Sequence, residues 1–198
     1  MTSVAAEGRI GPNAIIRTIE ALRARVGEPG TVALLRAAGL ERYEREPPQE
    51  MVAETEVTLL FVTMYRELGD LSARALARDS GARTADYLLA HRVPRPAQTV
   101  LKLLPAQLAS RGLLASIRGH TWTFAGTSTV EICDGRPALV SFTGCPLCRG
   151  ISAASTVCDY YAGTFERLYR VLVHPEARAT ETACQAAGAA RCEIRIRY

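Results

Sequence analysis

Three cysteines and one glutamate in the C-terminal part of the chain have types and a spacing that could bind a metal ion. They are Cys158, Glu181, Cys184 and Cys192. Three thiolates and one carboxylate complete a tetrahedral set for Zn²⁺ with no open position. Such a site would stabilise the fold rather than carry out chemistry. The alternative is three unrelated buried cysteines, because free cysteine is among the most buried residue types.

The elements around these residues are expected to bring them together. Residues 150–172 are predicted to form a helix with Cys158 in its first half. Residues 178–184 and the alternating stretch that begins at Cys192 are predicted to form a hairpin. Antiparallel strands face each other about 5 Å apart, so Cys184 and Cys192 would meet. A helix packed on the hairpin would add Cys158 to the same point.

A second pair of cysteines, Cys145 and Cys148, follows a predicted strand and precedes the predicted helix. A thiol at a helix N-terminus has a lowered pKa, which would suit a thiol redox role. The pair could also bind a second metal ion or cluster together with Cys133, or lie in a tight turn without a function. One of the two could replace Glu181 in the zinc site. The CxxC spacing alone does not decide among these alternatives.

The composition is that of an ordinary globular protein. Of the 198 residues, 48% are hydrophobic and 22% are charged, and the formal net charge is +4. The arginines are spread along the chain and Lys102 is the only lysine, which does not favour nucleic-acid binding. We see neither an apolar run of membrane-spanning length nor a signal peptide. We therefore expect no membrane span, a cytoplasmic protein, and cysteines that remain thiols or metal ligands.

The first half of the chain has the apolar periodicity of helices. Residues 1–11 are predicted to be a loose tail, and Asn13 is predicted to cap the first helix. Residues 54–68 are predicted to form a strongly apolar helix, with a strand as the competing prediction because β-branched residues occur there. The other predicted helices are 14–26, 31–35, 69–77, 83–91, 97–104 and 105–117.

The second half changes to strand patterns. Residues 120–124 and 129–133 alternate, Asp134 and Gly135 are a hairpin-turn signal, and residues 137–143 would form the returning strand. The predicted fold class is therefore α+β. It comprises an antiparallel sheet of four to five strands, a long helix between two hairpins, and the N-terminal helices.

The C-terminal motif resembles a known family. The run from Glu181 to Ile196, which includes Cys184 and Cys192, is similar to the signature of the 4-vinyl-reductase (V4R) domain family. The separation of Cys158 from Cys184 also matches. The family includes the sensor domains of phenol-responsive bacterial activators and resembles the TRAPP trafficking subunits in fold. In the phenol sensors the matching cysteines and glutamate bind zinc, which implies the same role for these four residues here.

The resemblance covers about residues 95–198 well and the N-terminal half loosely. It implies an N-terminal helical region, residues 1–95, packed on a V4R zinc-binding domain, residues 96–198. The length, the lack of an attached output domain and the stretch 144–150 make the chain most similar to a small family member of bacteriochlorophyll biosynthesis. That similarity implies a tetrapyrrole ligand of the protochlorophyllide or Mg-porphyrin type, a homodimer formed through the N-terminal helices, and contacts with other pigment-biosynthesis enzymes.

A tetrapyrrole would need a flat apolar pocket and an axial ligand for its magnesium ion. The candidate ligands are His91 and His120, and the candidate walls are Phe61, Tyr65 and Trp122. The alternative is that the aromatic residues belong to the core and the histidines are structural.

The resemblance leads to two main hypotheses about function. The protein would bind or deliver the tetrapyrrole intermediate, or it would reduce the 4-vinyl (8-vinyl) group of a divinyl protochlorophyllide, as the family name implies. Vinyl reduction needs a hydride or electron source, and we recognise no dinucleotide-binding motif. The sequence therefore favours binding and predicts structural Zn²⁺ without a nucleotide cofactor. A ligand sensor or a dimerising scaffold is the third hypothesis.

Overall fold

The computed structural model describes residues 8–198, which form an α+β fold as predicted. The helices are α1 (Asn13–Ala37), α2 (Glu54–His91), α3 (Arg95–Leu103), α4 (Ala106–Gly119) and α5 (Asp159–Leu172). The strands are β1 (Arg9–Ile10), β2 (Val52–Ala53), β3 (Thr129–Cys133), β4 (Ala138–Thr143), β5 (Arg178–Ala183) and β6 (Cys192–Arg197). Within this range, no helix combines the length and the apolar character needed to cross a bilayer.

Four strands form one antiparallel sheet in the order β3-β4-β6-β5. The pairs β3–β4 and β5–β6 are the two predicted hairpins, and α5 lies between them in sequence. The hairpins join through β4 and β6, where Phe142 is paired with Cys192. Alternate residues such as Val140, Phe142 and Ile194 are fully buried, as the period of a strand requires. Tyr161 of α5 stacks on Phe142 with ring centroids 4.3 Å apart, so α5 covers this face.

Helices α2 and α5 pack so closely that glycine is required at two positions. A Cβ atom at Gly163 would collide with the backbone carbonyl of Arg78, and one at Gly81 would collide with that of Tyr160. The backbones can approach this closely only because neither glycine carries a side chain. The N-terminal helices are thereby attached directly to the helix that begins beside the cysteines.

Helix α2 merges three predicted helices. Residues 54–68, 69–77 and 83–91 belong to one helical segment with a single kink at Gly69, where φ is 71°. Only glycine adopts this left-handed conformation without strain. The competing strand at residues 54–68 is wrong. Residues 78–82, which separate two predicted helices, are themselves helical. Gly81 does not end the helix but lies against the backbone of α5.

The predicted strand at residues 120–124 is also wrong, because Thr121–Thr123 forms a 3-10 helix. The Thr123 hydroxyl donates a hydrogen bond to the carbonyl of His120 at 2.7 Å. Threonine hydroxyls that bond to nearby backbone groups favour turns over sheet pairing. The alternation of polar and aromatic residues here therefore reflects a turn and not a sheet face.

Several boundaries differ from those predicted. Pro12 occupies the N-cap position of α1, and Asn13 is the first helical residue and not the cap. Helix α5 begins only at Asp159, because the preceding segment is irregular and its Val157 carbonyl accepts a hydrogen bond from the Tyr65 hydroxyl at 2.8 Å. Within the predicted tail, β1 pairs with β2, while residues 1–7 lie outside the described range.

Replacing Gly163 by alanine is expected to destabilise the protein by about 3 kcal/mol, because the added methyl group meets backbone atoms that cannot rotate away. Gly119→Ala in α4 is the matched control, since no atom lies within 4 Å of its Cβ position. That variant should be neutral or slightly stabilising. Urea unfolding measures both, and equal stability of the two variants would contradict the close approach of α2 and α5.

Candidate metal centre

Five cysteines from four parts of the chain meet at one end of the sheet. Cys145 and Cys148 lie in the turns after β4, Cys158 immediately precedes α5, Cys184 follows β5, and Cys192 begins β6. Each is at most 3% exposed to solvent, and none forms a disulfide. The pairing of β6 with both β4 and β5 brings these strand ends together.

Neighbouring sulfur atoms are separated by distances typical of a tetrahedral metal site. The Sγ atom of Cys158 lies 3.5 Å from that of Cys145 and 3.7 Å from that of Cys192. Cys148 Sγ lies 3.5 Å from Cys192 Sγ, and Cys184 Sγ lies 3.9 Å from both Cys158 Sγ and Cys192 Sγ. With Zn–S bonds of about 2.3 Å, the sulfur–sulfur edges of a tetrahedral site are about 3.8 Å long. The spacing therefore fits thiolates that share one ion.

The donor atoms fall into two overlapping sets, each of which could hold one metal ion. One set consists of Cys145, Cys148, Cys158 and Cys192, and the other consists of Cys158, Glu181, Cys184 and Cys192. Within each set all donor atoms lie within 4.8 Å of one another. Cys158 and Cys192 belong to both sets and are therefore the centre of the cluster.

Glu181 lies beside the sulfurs with one oxygen satisfied and one not. Its Oε2 atom accepts a hydrogen bond from the backbone N–H of Cys158 at 2.7 Å. Its Oε1 atom is buried and has no hydrogen-bond partner within residues 8–198. Burial raises the pKa of Glu181 to about 9, so the carboxyl group is neutral at pH 7 when no cation is near. A buried oxygen without a partner is costly, and a metal ion would satisfy it.

The thiols cannot all ionise unless a cation joins them. Hydrogen bonding with Cys145 lowers the pKa of Cys148, whereas it raises the pKa of Cys158 and of Cys192. The Cys148 sulfur thus ionises most readily, whereas the neighbouring thiols of Cys158 and Cys192 keep their protons. Metal ions bind thiolates, so a divalent ion would take the place of these protons.

The turn that carries Cys145 and Cys148 is fixed by contacts from two directions. The side-chain oxygen of Gln185 accepts hydrogen bonds from the backbone N–H groups of Gly144 and Cys145, at 2.9 and 3.0 Å. From α2, the hydroxyl of Thr58 donates to the carbonyl of Pro146 at 2.8 Å. The turn therefore has little freedom to move its thiols away from the other three.

An ion pair between a buried carboxylate and a partly exposed arginine continues this attachment to α2. Arg149 donates to Glu54 at 2.8 Å and to the carbonyl of Gly144 at 2.9 Å. Thr127 donates to Glu54 from its backbone N–H and its hydroxyl, both at 2.7 Å. Burial alone would raise the pKa of Glu54, but the hydrogen bonds from Arg149 and Thr127 outweigh it and lower the pKa. Glu54 is therefore ionised at neutral pH.

The structure places the four predicted metal ligands together, and it adds the CxxC pair to the same centre. Cys133 is exposed and belongs to neither set of donors. Sequence reasoning missed the supporting residues Glu54, Arg149 and Gln185. Their roles depend on contacts between distant segments, for which the sequence contains no local signal.

The five residues predicted to line a ligand pocket lie in two different environments. Phe61 and Tyr65 are buried in the core, where Phe61 makes an edge contact with Tyr160. Trp122, His91 and His120 are exposed. The assignment of these residues to a ligand pocket stays a prediction.

Comparison with known proteins gives close relatives. The chain is 39% identical to the bacteriochlorophyll synthase 23 kDa chain of Cereibacter sphaeroides over 95% of this chain and 90% of that protein. It is 33% identical to the Rhodobacter capsulatus protein of the same name over 94% of this chain and 85% of that protein. The V4R domain model matches residues 139–198, the segment that contains all five clustered cysteines.

Solved structures with a similar fold are H-NOX proteins. The unliganded Fe(II) H-NOX protein from K. algicida superposes with a TM-score of 0.61 at 10% identity, over 95% of this chain and 96% of that chain. A structure described under protein-induced porphyrin distortion and heme redox potential superposes with a TM-score of 0.55 at 14% identity, over 96% of this chain and 100% of that chain. Identities this low establish a similar fold only.

Replacing Glu54 by glutamine is expected to lower the free energy of unfolding by about 2 kcal/mol at pH 7, because the buried side chain loses charge-assisted hydrogen bonds from Arg149 and Thr127. The lowered pKa of Glu54 stabilises the folded state at neutral pH, and this contribution is lost as the pH falls below the ordinary value of 4.5. Urea unfolding between pH 3 and pH 7 measures both effects.

Glu67→Gln is the control for this experiment, because Glu67 pairs with Arg66 on the surface. Its effect should be below about 0.5 kcal/mol. If Glu54→Gln shows the same small effect and the same acid dependence as the wild type, the ion pair with Arg149 does not fix the CxxC turn.

Proposed function

The chain belongs to the family of the bacteriochlorophyll synthase 23 kDa chains, and on that premise we propose that it is a zinc-stabilised protein that binds a tetrapyrrole intermediate of bacteriochlorophyll biosynthesis. The names of its relatives support the pathway. The solved structure whose description names heme and porphyrin supports the ligand class, since it shares the fold. The observation that carries the metal part is the close approach of five buried sulfurs, whose neighbouring atoms lie 3.5–3.9 Å apart.

The chemistry of the donors favours zinc. Thiolate ligands select soft or borderline ions, and a tetrahedral set of sulfurs suits Zn²⁺. Cys158 and Cys192 would bind the ion in either set. The other two ligands would be Glu181 and Cys184, as the family resemblance implies, or Cys145 and Cys148. The unpaired Oε1 atom of Glu181 supports the first set, and the general preference of structural zinc sites for sulfur supports the second.

The role of the ion would be structural. Both sets supply four protein ligands, so neither leaves an open position for water or substrate. The thiols are buried from solvent, which prevents a bulky substrate from reaching them. The ion would therefore hold the β4 turn, the start of α5 and the β5–β6 hairpin together, and tetrapyrrole binding would use other residues.

The other expectations about partners and organisation stay predictions. They are homodimerisation through the N-terminal helices, contacts with other pigment-biosynthesis enzymes, a cytoplasmic location, and a domain boundary near residue 95.

The purified protein is expected to contain about one zinc ion per chain. Cys192→Ser should lose the metal and unfold or melt at a much lower temperature, because structural zinc contributes on the order of 10 kcal/mol to folding. Cys133→Ser is the matched control and should keep both metal and stability, since Cys133 is exposed. Elemental analysis and thermal melting measure the two properties.

Two further variants and a chelator complete the metal experiment. Loss of zinc in Cys184→Ser but not in Cys148→Ser would identify the set with Glu181, and the reverse would identify the all-sulfur set. If Cys192→Ser does not fold, the wild type is melted with and without a strong chelator. A melting temperature that is unchanged by chelation, or iron in place of zinc, would contradict the zinc proposal.

A Mg-porphyrin or protochlorophyllide added to the protein is expected to bind with one saturating shift of its absorption bands. The chromophore should be released unchanged, because binding alone alters no bond. His91→Ala and His120→Ala test the proposed axial ligands, and His174→Ala is the control. Absence of a shift would contradict tetrapyrrole binding.

The enzymatic alternative is tested in the same cuvette. A divinyl substrate is supplied with NADPH or with reduced ferredoxin, and the products are separated by chromatography. Conversion of the vinyl group to ethyl over many turnovers would replace the binding function by a reductase.

A further inference from the structure

Helix α3 and the beginning of α4 expose apolar side chains that would ordinarily be buried. No residue of α3 is buried. The exposed fractions of the large apolar side chains are 56% for Val100, 81% for Leu103, 37% for Leu104 and 48% for Leu108. Val100 and Leu103 lie three residues apart, so they share one face of α3, and Leu104 follows directly at the C-terminal end of the helix. We call this face, together with Leu104 and Leu108, the α3–α4 ridge.

The ridge has little support from the rest of the protein. Gln98 donates hydrogen bonds to the carbonyls of Leu89 and Val93, at 2.6 and 3.0 Å. Leu101 is the apolar residue of α3 that packs against the core. Helices as short as α3 are marginally stable in water unless an apolar face is covered. Contact of the exposed face with another apolar surface would therefore stabilise α3.

All the charged residues of the segment that contains the ridge are lysine or arginine. Between Asp86 and Glu131 the sequence contains no aspartate or glutamate. It contains five cations, which are Arg92, Arg95, Lys102, Arg111 and Arg118. The formal charge of the whole chain is +4, so the remainder of the chain is close to neutral. The net positive charge of the chain thus comes from this segment, because the segment lacks acidic residues.

Four of these cations have no acidic partner within residues 8–198. Arg111 is paired with Asp134 at 2.7 Å, but no ion pair in this range involves Arg92, Arg95, Lys102 or Arg118. All four side chains are exposed. Free cations beside exposed leucines are the combination found in helices that lie in the interface of a membrane.

The alternative occupants fit the ridge less well. Small-molecule sites are concave, whereas a leucine that is 81% exposed stands on a protrusion. A second copy docked ridge to ridge would place the same cations opposite each other, which is unfavourable. A negatively charged bilayer suits both the cations and the leucines, because its phosphates pair with the cations and its acyl chains bury the leucines.

We infer that the α3–α4 ridge is a peripheral membrane-binding site that recognises anionic phospholipid. Leu103, Leu104 and Leu108 enter the boundary between headgroups and acyl chains, and Arg95 and Lys102 contact the phosphates. The chain binds to one leaflet without crossing it. This inference does not depend on the metal centre or on the tetrapyrrole.

The inference is tested by co-sedimentation of the full chain with vesicles. Vesicles that contain phosphatidylglycerol should bind the protein, and vesicles of phosphatidylcholine alone should bind it about tenfold more weakly. Binding to the anionic vesicles should weaken as salt is raised, because salt screens the headgroup charge. No binding to anionic vesicles, or equal binding to both kinds, would overturn the proposal.

Matched variants assign the binding to the ridge. The double variant Leu103→Gln, Leu104→Gln should weaken binding about tenfold. Leu71→Gln is the control, because Leu71 of α2 is 86% exposed but lies outside the basic segment. The double variant Arg95→Gln, Lys102→Gln should also weaken binding about tenfold. Its control is Arg25→Gln, an exposed cation of α1.

Two other results would also overturn the proposal. One is equal binding by the ridge variants and their controls. The other is a change in molar mass by light scattering in Leu103→Gln, Leu104→Gln with unchanged vesicle binding, which would assign the ridge to contact between copies. Thermal melting of each variant confirms that loss of binding does not come from unfolding.

Discussion

The packing of five thiols into one buried space is the constraint on which this fold depends. Burial removes water from the sulfurs and from Glu181, and buried polar groups cost free energy unless they are paired. Contacts among the thiols do not satisfy every buried polar atom, because one oxygen of Glu181 has no hydrogen-bond partner among residues 8–198. The donors come from the β4 turn, the start of α5 and both strands of the last hairpin. The positions of these four segments therefore depend on one another. A displacement of any one of them would separate sulfurs that lie within 4 Å of each other.

The same coupling reaches the N-terminal helices. Glu54 at the start of α2 holds Arg149, which follows Cys148 directly. Arg74 of the same helix pairs with Asp159 at 2.7 Å, and Asp159 follows Cys158. Helix α2 also contributes to the same hydrophobic core as the sheet. The cysteines are therefore fixed by contacts that cross the predicted domain boundary near residue 95, and the sheet with α5 would lose part of its support without α2.

The sequence allowed prediction of the elements whose signals are local. Strand β6 alternates apolar and charged residues from Cys192 onward, and the β3–β4 hairpin has a turn signal between its strands, so both were predicted. The addition of Cys145 and Cys148 to the centre depends on the direction of the chain after β4, which Gln185 and Arg149 determine from distant positions. Gly81 resembles a helix end in sequence, but its role is to admit the backbone of α5. Residues 120–124 have the alternating pattern of a strand, but they form a turn because the Thr123 hydroxyl hydrogen-bonds to the nearby backbone.

The cysteine cluster is buried, and each of its two possible sets offers four donor atoms. Thiols that are at most 3% exposed cannot contact a molecule as large as a tetrapyrrole, so the proposed ligand would contact residues outside the cysteine cluster. The similarity to H-NOX proteins extends over nearly the whole chain, but at 10–15% identity it transfers a backbone arrangement and not the side chains that hold a ligand. Helices α1 to α4 lie outside the segment that the V4R model matches, which is residues 139–198. The matched segment contains the five clustered cysteines, so it includes the residues that join the β4 turn, the start of α5 and the last hairpin.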